Sequence, residues 1–256
     1  MTVPATDGPA IEFDHVSFRI NERALVNDVS LAVHPGETLV LLGRSGSGKT
    51  TSLKLINRLL VASAGELLVE NKSSHEWDPI QLRRGIGYAI QDVGLFPHYT
   101  VWDNVALVPK LEKWEQSRIA ARVEQVLQLV GLPSRDFADR YPNQLSGGQR
   151  QRVGLARALA AEPPILLMDE PFGALDPITR AEIQTEFKKL QQELRKTIVF
   201  VTHDVGEALM LGDRIALMES GKLRAVHTPQ EFLQSADVVV QEYVKVYRAA
   251  GQTFRN

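Results

Sequence analysis

Eight consecutive residues, Gly43-Arg44-Ser45-Gly46-Ser47-Gly48-Lys49-Thr50, fit the pattern G-x-x-x-x-G-K-[ST] and narrow the folds open to this chain more than any other feature. An apolar run, Leu39–Leu42, stands just before them within a buried strand starting near Glu37. A helical pattern from about Lys49 to Leu60 stands just after. At ordinary glycine usage the bare pattern arises by chance in about one chain in a hundred of this length. The strand–loop–helix context makes chance a poorer explanation still, and it calls for an α/β architecture.

The physical use of such a loop is to hold phosphate. Glycines let successive backbone N–H groups turn inward around phosphate oxygens. A helix beginning at Lys49 adds its positive N-terminal end. In that arrangement Lys49 would reach the β- and γ-phosphates of a nucleotide, and the Thr50 hydroxyl would ligate Mg²⁺.

The remaining pattern completes the sheet. Ile11 to Val33 reads as strands broken near Asn21-Glu22-Arg23, and Leu67–Val69 and Ile86–Ile90 read as further short strands. From about Thr100 to Ala161 the spacing is helical, with Val123, Val126, Leu127 and Val130 as one apolar stripe. Continuous apolar runs then return at Ile165–Met168, Ile198–Val201 and Ile215–Met218, the pattern of parallel strands covered on both faces. Ile183, Phe187, Leu190 and Leu194 give the intervening helix its buried face. The expectation is an α/β core split by a helical insertion.

Composition excludes several alternatives. A net charge of -2 gives no global basic field for nucleic acid or an anionic membrane. The absence of cysteine removes disulfides, thiolate metal sites and cysteine nucleophiles. The first ten residues lack the basic start and apolar run of a signal peptide. No stretch approaches the roughly 18 consecutive apolar residues of a membrane span, so any work at a membrane would need other chains to provide the spans.

Two further motifs carry chemistry. Ile165–Met168 runs into Asp169-Glu170, a strand ending in two carboxylates. Asp169 would hold Mg²⁺ and Glu170 would polarise an attacking water as a general base. An isolated Asp-Glu before Pro171 would more often be a cap or surface turn; the phosphate loop in the same chain favours the chemical reading. Leu145-Ser146-Gly147-Gly148-Gln149 offers a capping box through Ser146 and Gln149. Capping does not explain glycines in the first turn, each of which costs a helix up to about 1 kcal/mol against alanine. Close approach of a phosphate to the backbone would.

With these motifs in place, the chain resembles the ATPase subunits of ABC transporters. The likeness covers nearly the whole sequence: the phosphate loop, Gln91 after a strand, the Leu145–Gln149 signature, Asp169-Glu170, Gly173-Ala174-Leu175-Asp176, and His203 after the strand Ile198–Val201. It implies a P-loop NTPase fold, with a mostly parallel core, an N-terminal antiparallel region and an inserted helical part. The domain would span residues 11–225, its core formed by about 11–91 and 162–225 and its helical part by about 92–161, with 226–256 as a short extension. The resemblance also implies ATP and Mg²⁺ as ligands and a head-to-tail homodimer with ATP at the interface. Residues 43–50 and Thr51 of one subunit would face Ser146, Gly147, Gly148 and Gln149 of the other. Gln91 would sense Mg²⁺ and water, His203 would contact the γ-phosphate, and Asp176 would lie on the loop crossing the interface. Asp176-Pro177 also makes a good helix N-cap, so it can serve both purposes.

One departure concerns the base. The family stacks an aromatic on adenine four residues after the valine matched to Val16, and here that position is Ile20. Phe18 lies two residues earlier and, by alternation, on the same face. Either Phe18 substitutes, Ile20 packs against the base, or adenine is held loosely.

Within the family, one cassette per chain and the short distance from Lys49 to Ser146 set aside translation factors and coiled-coil DNA-repair members. Separately encoded membrane subunits remain, as in bacterial importers and some lipid systems. Asn57-Arg58-Leu59, the segment Gln91 to Val101 and Ala106–Lys110 resemble ATPases of osmoprotectant importers for glycine betaine, choline, carnitine or related amines. The expected partners are permease subunits and, through them, a substrate-binding protein, with the ATPase on the cytoplasmic face of the plasma membrane. A lipid-transport ATPase and a non-transport ATPase acting on a soluble partner are the alternatives. Many osmoprotectant ATPases add a C-terminal regulatory domain pair; the residues after Gly221 leave room only for a strand and short helices.

Overall fold

A computed structural model of the chain describes residues 8–90, 94–173 and 175–253. The first segment holds β1 (Ile11–Ile20), β2 (Arg23–Val33), β3 (Thr38–Leu42), α1 (Lys49–Ile56), β4 (Ala64–Val69) and β5 (Lys72–Ser73). The middle holds α2 (Pro79–Gly85), β6 (Ile86–Ala89), α3 (Val101–Leu111), α4 (Gln116–Leu129), α5 (Ser134–Phe137), a 3₁₀ turn (Pro142–Gln144), α6 (Gly147–Ala160), β7 (Ile165–Asp169) and α7 (Pro177–Leu194). The last holds β8 (Thr197–Thr202), α8 (Val205–Leu211), β9 (Arg214–Glu219), β10 (Lys222–His227), α9 (Pro229–Gln234) and α10 (Val238–Thr253). Contacts divide the chain into two compact units. One combines the chain up to Trp77 with the chain from Thr197 on; the other is Asp78–Lys196.

In the first unit β2, β1, β4 and β5 form an antiparallel sheet in that order. β3 runs parallel to both β8 and β9, and β10 closes on β9 as an antiparallel edge. Every residue of β3 and β8 is buried, as a parallel strand covered on both faces requires. The entry to β3 is pinned by Asp213, whose carboxylate accepts the Thr38 N–H at 2.8 Å, and by an Arg214–Glu37 ion pair at 3.1 Å. α1 buries Leu53, Leu55 and Ile56. It ends at Ile56 rather than near Leu60 because Arg58 adopts a left-handed φ of 54°.

β1 departs from simple alternation. Its register against β2 shifts between Phe13 and Val16, between Val16 and Phe18, and between Phe18 and Arg19, and His15 sits at φ 50°. Phe13, Val16 and Phe18 are buried, while Ile20, beside the turn, is exposed. The extra residue of β1 falls between Phe13 and Val16, where His15 takes its positive φ; at the two later shifts the extra residue lies on β2.

In the second unit β6 and β7 pair in parallel, Ile86 opposite Ile165 through Ala89 opposite Met168. Thr100 caps α3, and the stripe Val123, Val126, Leu127 and Val130 on α4 is buried as the period predicts. Ile183, Phe187 and Leu190 of α7 are buried too; the side chain of Leu194 lies outside those described. The C-terminal helix is longer than the sequence pattern suggested: α10 has 16 residues, with Val240 and Val244 buried. Among the described residues no helix is long and apolar enough to cross a membrane.

Candidate functional site

The phosphate-loop residues Gly43 to Thr50 lie in the first unit, between the buried end of β3 and the start of α1. Three glycine positions admit nothing larger or no other backbone. A Cβ on Gly43 would fall 2.3 Å from the Met218 carbonyl, and one on Gly48 2.5 Å from the Leu25 carbonyl. Gly46 and Gly48 also hold φ at 78° and 102°. The loop is tied down by the Ser47 N–H donating to Arg44 O at 3.2 Å and the Gly221 N–H donating to Ser47 O at 3.1 Å.

Helix α1 starts without a side-chain cap, since Gly48 is its N-cap. The positive end of α1 thus stands at the loop without a side-chain cap. Lys49 is 5% exposed, and its ammonium folds back to donate to Gly43 O at 2.8 Å and Arg44 O at 2.9 Å. A buried ammonium held by carbonyls at the loop mouth suits a second, anionic partner. Ser47 Oγ is buried with no hydrogen-bond partner among the described residues. The cradle therefore fits a polyphosphate: rigid glycines, a helix N-terminus with no side-chain cap, a buried cation and an unmatched hydroxyl. Thr50 and Thr51 follow, half-buried on the first turn of α1.

His203 belongs to the same unit. The turn carrying it is fixed by the Thr202 hydroxyl donating to the Glu207 carboxylate, by the Asp204 N–H donating to Thr202 Oγ1 at 3.0 Å, and by Asp204 capping α8 at the Gly206 N–H, 2.7 Å. His203 and Arg44 line one cavity of about 620 Å³, whose other wall is Glu242, Tyr243 and Tyr247 of α10. Glu242 pairs with Arg44 at 3.3 Å, and burial raises the Tyr243 phenol above its ordinary value. The fold thus places His203 on the same cavity as Arg44 of the phosphate loop. Of the two base candidates, Phe18 is buried in the core and Ile20 is 53% exposed, so Ile20 is the one with a face to offer.

The acid pair belongs to the second unit. Asp169 ends the buried strand β7 at 3% exposure, and Tyr88 on β6 has its phenol raised by burial and then by the Asp169 charge. Glu170 is half-buried at φ 45°, a left-handed conformation unusual for glutamate. The turn after it closes through the Gly173 N–H donating to Glu170 O at 3.1 Å. Arg180 then grips the loop, donating to Phe172 O at 3.2 Å and Leu175 O at 3.0 Å. Asp176 caps α7 by accepting the Thr179 N–H at 3.0 Å, and that bond holds its carboxyl below the ordinary range. The capping role read from Asp176-Pro177 is thus realised. Among the described residues no group of three or more His, Cys, Asp or Glu could hold a metal alone.

The signature residues start α6. Ser146 accepts the Gln149 N–H at 3.2 Å while Gln149 Oε1 accepts the Ser146 N–H at 2.9 Å, a complete capping box. Ser146 is exposed, and Gly147, Gly148 and Gln149 are half-buried. A Cβ on Gly148 would approach Leu175 to 2.9 Å, so this glycine has a packing reason as well as a chemical one. Gln91 lies outside the described residues, as does Ala174. Gln151 and Arg180, which reach the Glu170 turn, were not singled out from sequence; no spacing rule marks them.

The comparisons agree with this geometry. Residues 26–173 match the ABC transporter family. The choline transport ATP-binding protein OpuBA of Bacillus subtilis (strain 168) is 52% identical over 220 residues, 86% of this chain and 58% of that one. The glycine betaine uptake system ATP-binding protein YehX of Escherichia coli (strain K12) is 50% identical over 213 residues, 83% of this chain and 69% of that one. The chain thus spans little more than half of OpuBA and about two thirds of YehX. Among solved structures, the ATP-binding cassette MJ0796, dimeric in a post-hydrolysis state bound to ADP and Pi, superposes with a TM-score of 0.77 at 36% identity, covering 86% of this chain and 98% of that one. From the glycine-pinned phosphate loop, the buried strand ending in Asp169-Glu170, the self-capped signature and these likenesses together, the chain belongs to the ABC transporter family, with the fold of its ATP-binding cassettes.

Proposed function

We propose that the chain is the ATP-hydrolysing subunit of a bacterial importer for quaternary-amine osmoprotectants. The observation that carries the chemistry is the phosphate loop, whose glycine-pinned turn, uncapped helix N-terminus and buried Lys49 suit a polyanion. The substrate class rests on about 50% identity to proteins named for choline transport and glycine betaine uptake.

In this reading Gly43 to Thr51 receive the phosphates of ATP and Ile20 packs against the base. Thr50 and Asp169, with Gln91, hold Mg²⁺. When bound, Mg²⁺ neutralises charge on the phosphates. Glu170 takes a proton from the attacking water, and His203 contacts the terminal phosphate. Two copies pair head to tail, so that Ser146, Gly147, Gly148 and Gln149 of one complete the site of the other, with Asp176 on the crossing loop. Closing and reopening of this dimer drives permease subunits through the surface near Phe96 and Pro97, at the cytoplasmic face of the plasma membrane. A substrate-binding protein feeds the permease.

The test has two parts. Purified chain is assayed for Mg²⁺-dependent ATP turnover. Tagged chain is then captured from detergent-solubilised native membranes. Copurification of a permease with a binding protein for choline or glycine betaine supports the importer. Lipid-system components, or soluble partners alone, contradict the importer and leave the ATPase chemistry standing.

A further inference from the structure

The helix that begins with the signature also reaches the acid pair of its own subunit. Gln151 lies on α6, two residues beyond Gln149, and is 7% exposed. Its side-chain Nε2 donates to the Glu170 carbonyl at 3.5 Å, and that carbonyl also accepts the Gly173 N–H. Gln151 Oε1 is buried with no hydrogen-bond partner among the described residues. A small cavity of about 10 Å³ lies between Gln151, Ala89, Leu155, Pro171 and Phe172.

Packing alone does not account for this residue. Methionine or leucine would fill the same space without burying half an amide unmatched. Glu170, meanwhile, needs external support. A glutamate at φ 45° persists only where its surroundings over-determine the backbone. The carbonyl that Gln151 touches belongs to Glu170 itself, so the contact bears directly on the strained residue. On the far side Arg180 holds the carbonyls of Phe172 and Leu175, so the turn is gripped from two helices.

We propose that Gln151 is a positioning residue for Glu170, through which the signature helix sets the carboxylate of its own subunit. The inference rests on the ATPase reading above and deepens it. On that reading the N-terminus of α6 faces the partner's nucleotide, and Gln151, one turn further along the same helix, touches the Glu170 turn.

The test uses the purified full chain with Mg-ATP, comparing wild type, Gln151→Met and Leu155→Met. Met at 151 keeps the volume and removes the amide. The expected result is a fall in kcat of about tenfold to a hundredfold with KM for ATP unchanged, and an ATP-dependent dimer that persists on gel filtration because its bound ATP is hydrolysed slowly. Leu155→Met alters the same cavity wall, keeps the amide, and turns over like wild type. Wild-type kcat in Gln151→Met overturns the proposal. So does a loss of dimer and of ATP binding in step with kcat, which marks a purely structural role. A wild-type chain that binds no ATP instead contradicts the ATPase reading itself, a separate readout from the kcat comparison.

Discussion

The phosphate loop and the signature are both glycine-bearing helix N-termini, yet the molecule leaves them in opposite electrostatic states. At α1 the N-cap is Gly48, no side chain answers the leading N–H groups, and a buried lysine waits beside them. At α6 Ser146 and Gln149 already satisfy the first turn and stand at the surface. The first can hold an anion as built. On the proposed head-to-tail reading the second would exchange a bond to itself for a bond to a ligand, and would gain little until another surface excludes water around it. The difference teaches that, on this reading, one face would hold nucleotide alone and the other would read it only in a pair.

Breaking the chemistry between the two faces should give the largest effect. Glu170→Gln keeps the shape of the turn and removes the base; turnover should fall by about 10²–10⁴-fold while ATP binding and the closed dimer remain. Single-turnover hydrolysis together with gel filtration checks both halves of that statement, and wild-type rates would sink the general-base role.

Damage to the open helix end should come next. Gly48→Ala puts a Cβ against the Leu25 carbonyl in a backbone region that only glycine enters freely. ATP binding should be lost, with a stability cost of about 1–3 kcal/mol. Titration with a fluorescent ATP analogue and urea unfolding measure the two. Ser146→Ala should be milder and of a different kind. It removes a cap worth about 1 kcal/mol and weakens turnover, while nucleotide affinity of the isolated subunit stays at the wild-type value. Equal loss of affinity in both variants would erase the contrast between the faces.

The smallest effect concerns Asp176. Its folded pKa is depressed, chiefly by the Thr179 N–H, so its capping stability is present above the unfolded carboxylate pKa of about 3.9. That stability is lost as pH falls through the lower folded value. Urea unfolding of wild type and Asp176→Asn should show any advantage of the aspartate near pH 7 shrinking below about pH 4.

The legible parts of the fold were those governed by short-range rules. Glycine spacing in residues 43–50, the apolar runs of β3, β7, β8 and β9, and the stripe on α4 are local patterns, and each reappears in the structure. The register shifts of β1 against β2 gave no signal, since they depend on how the two strands meet rather than on the composition of either. α10 was underestimated because its valines are weak helix formers; the burial of Val240 and Val244 decides the matter. Gln151 and Arg180 gave no signal, since their roles depend on where the Glu170 turn lies in space.

The most direct test of the two-faced account is complementation. Lys49→Ala disables the phosphate loop and leaves the signature, whereas Ser146→Arg blocks the signature and leaves the loop. Each variant alone should be inactive. ATP turnover of the mixture should exceed the sum of the two, because every mixed dimer carries one intact loop facing one intact signature. A mixture no more active than its separate components would contradict head-to-tail pairing and, with it, the division of labour between the two helix ends.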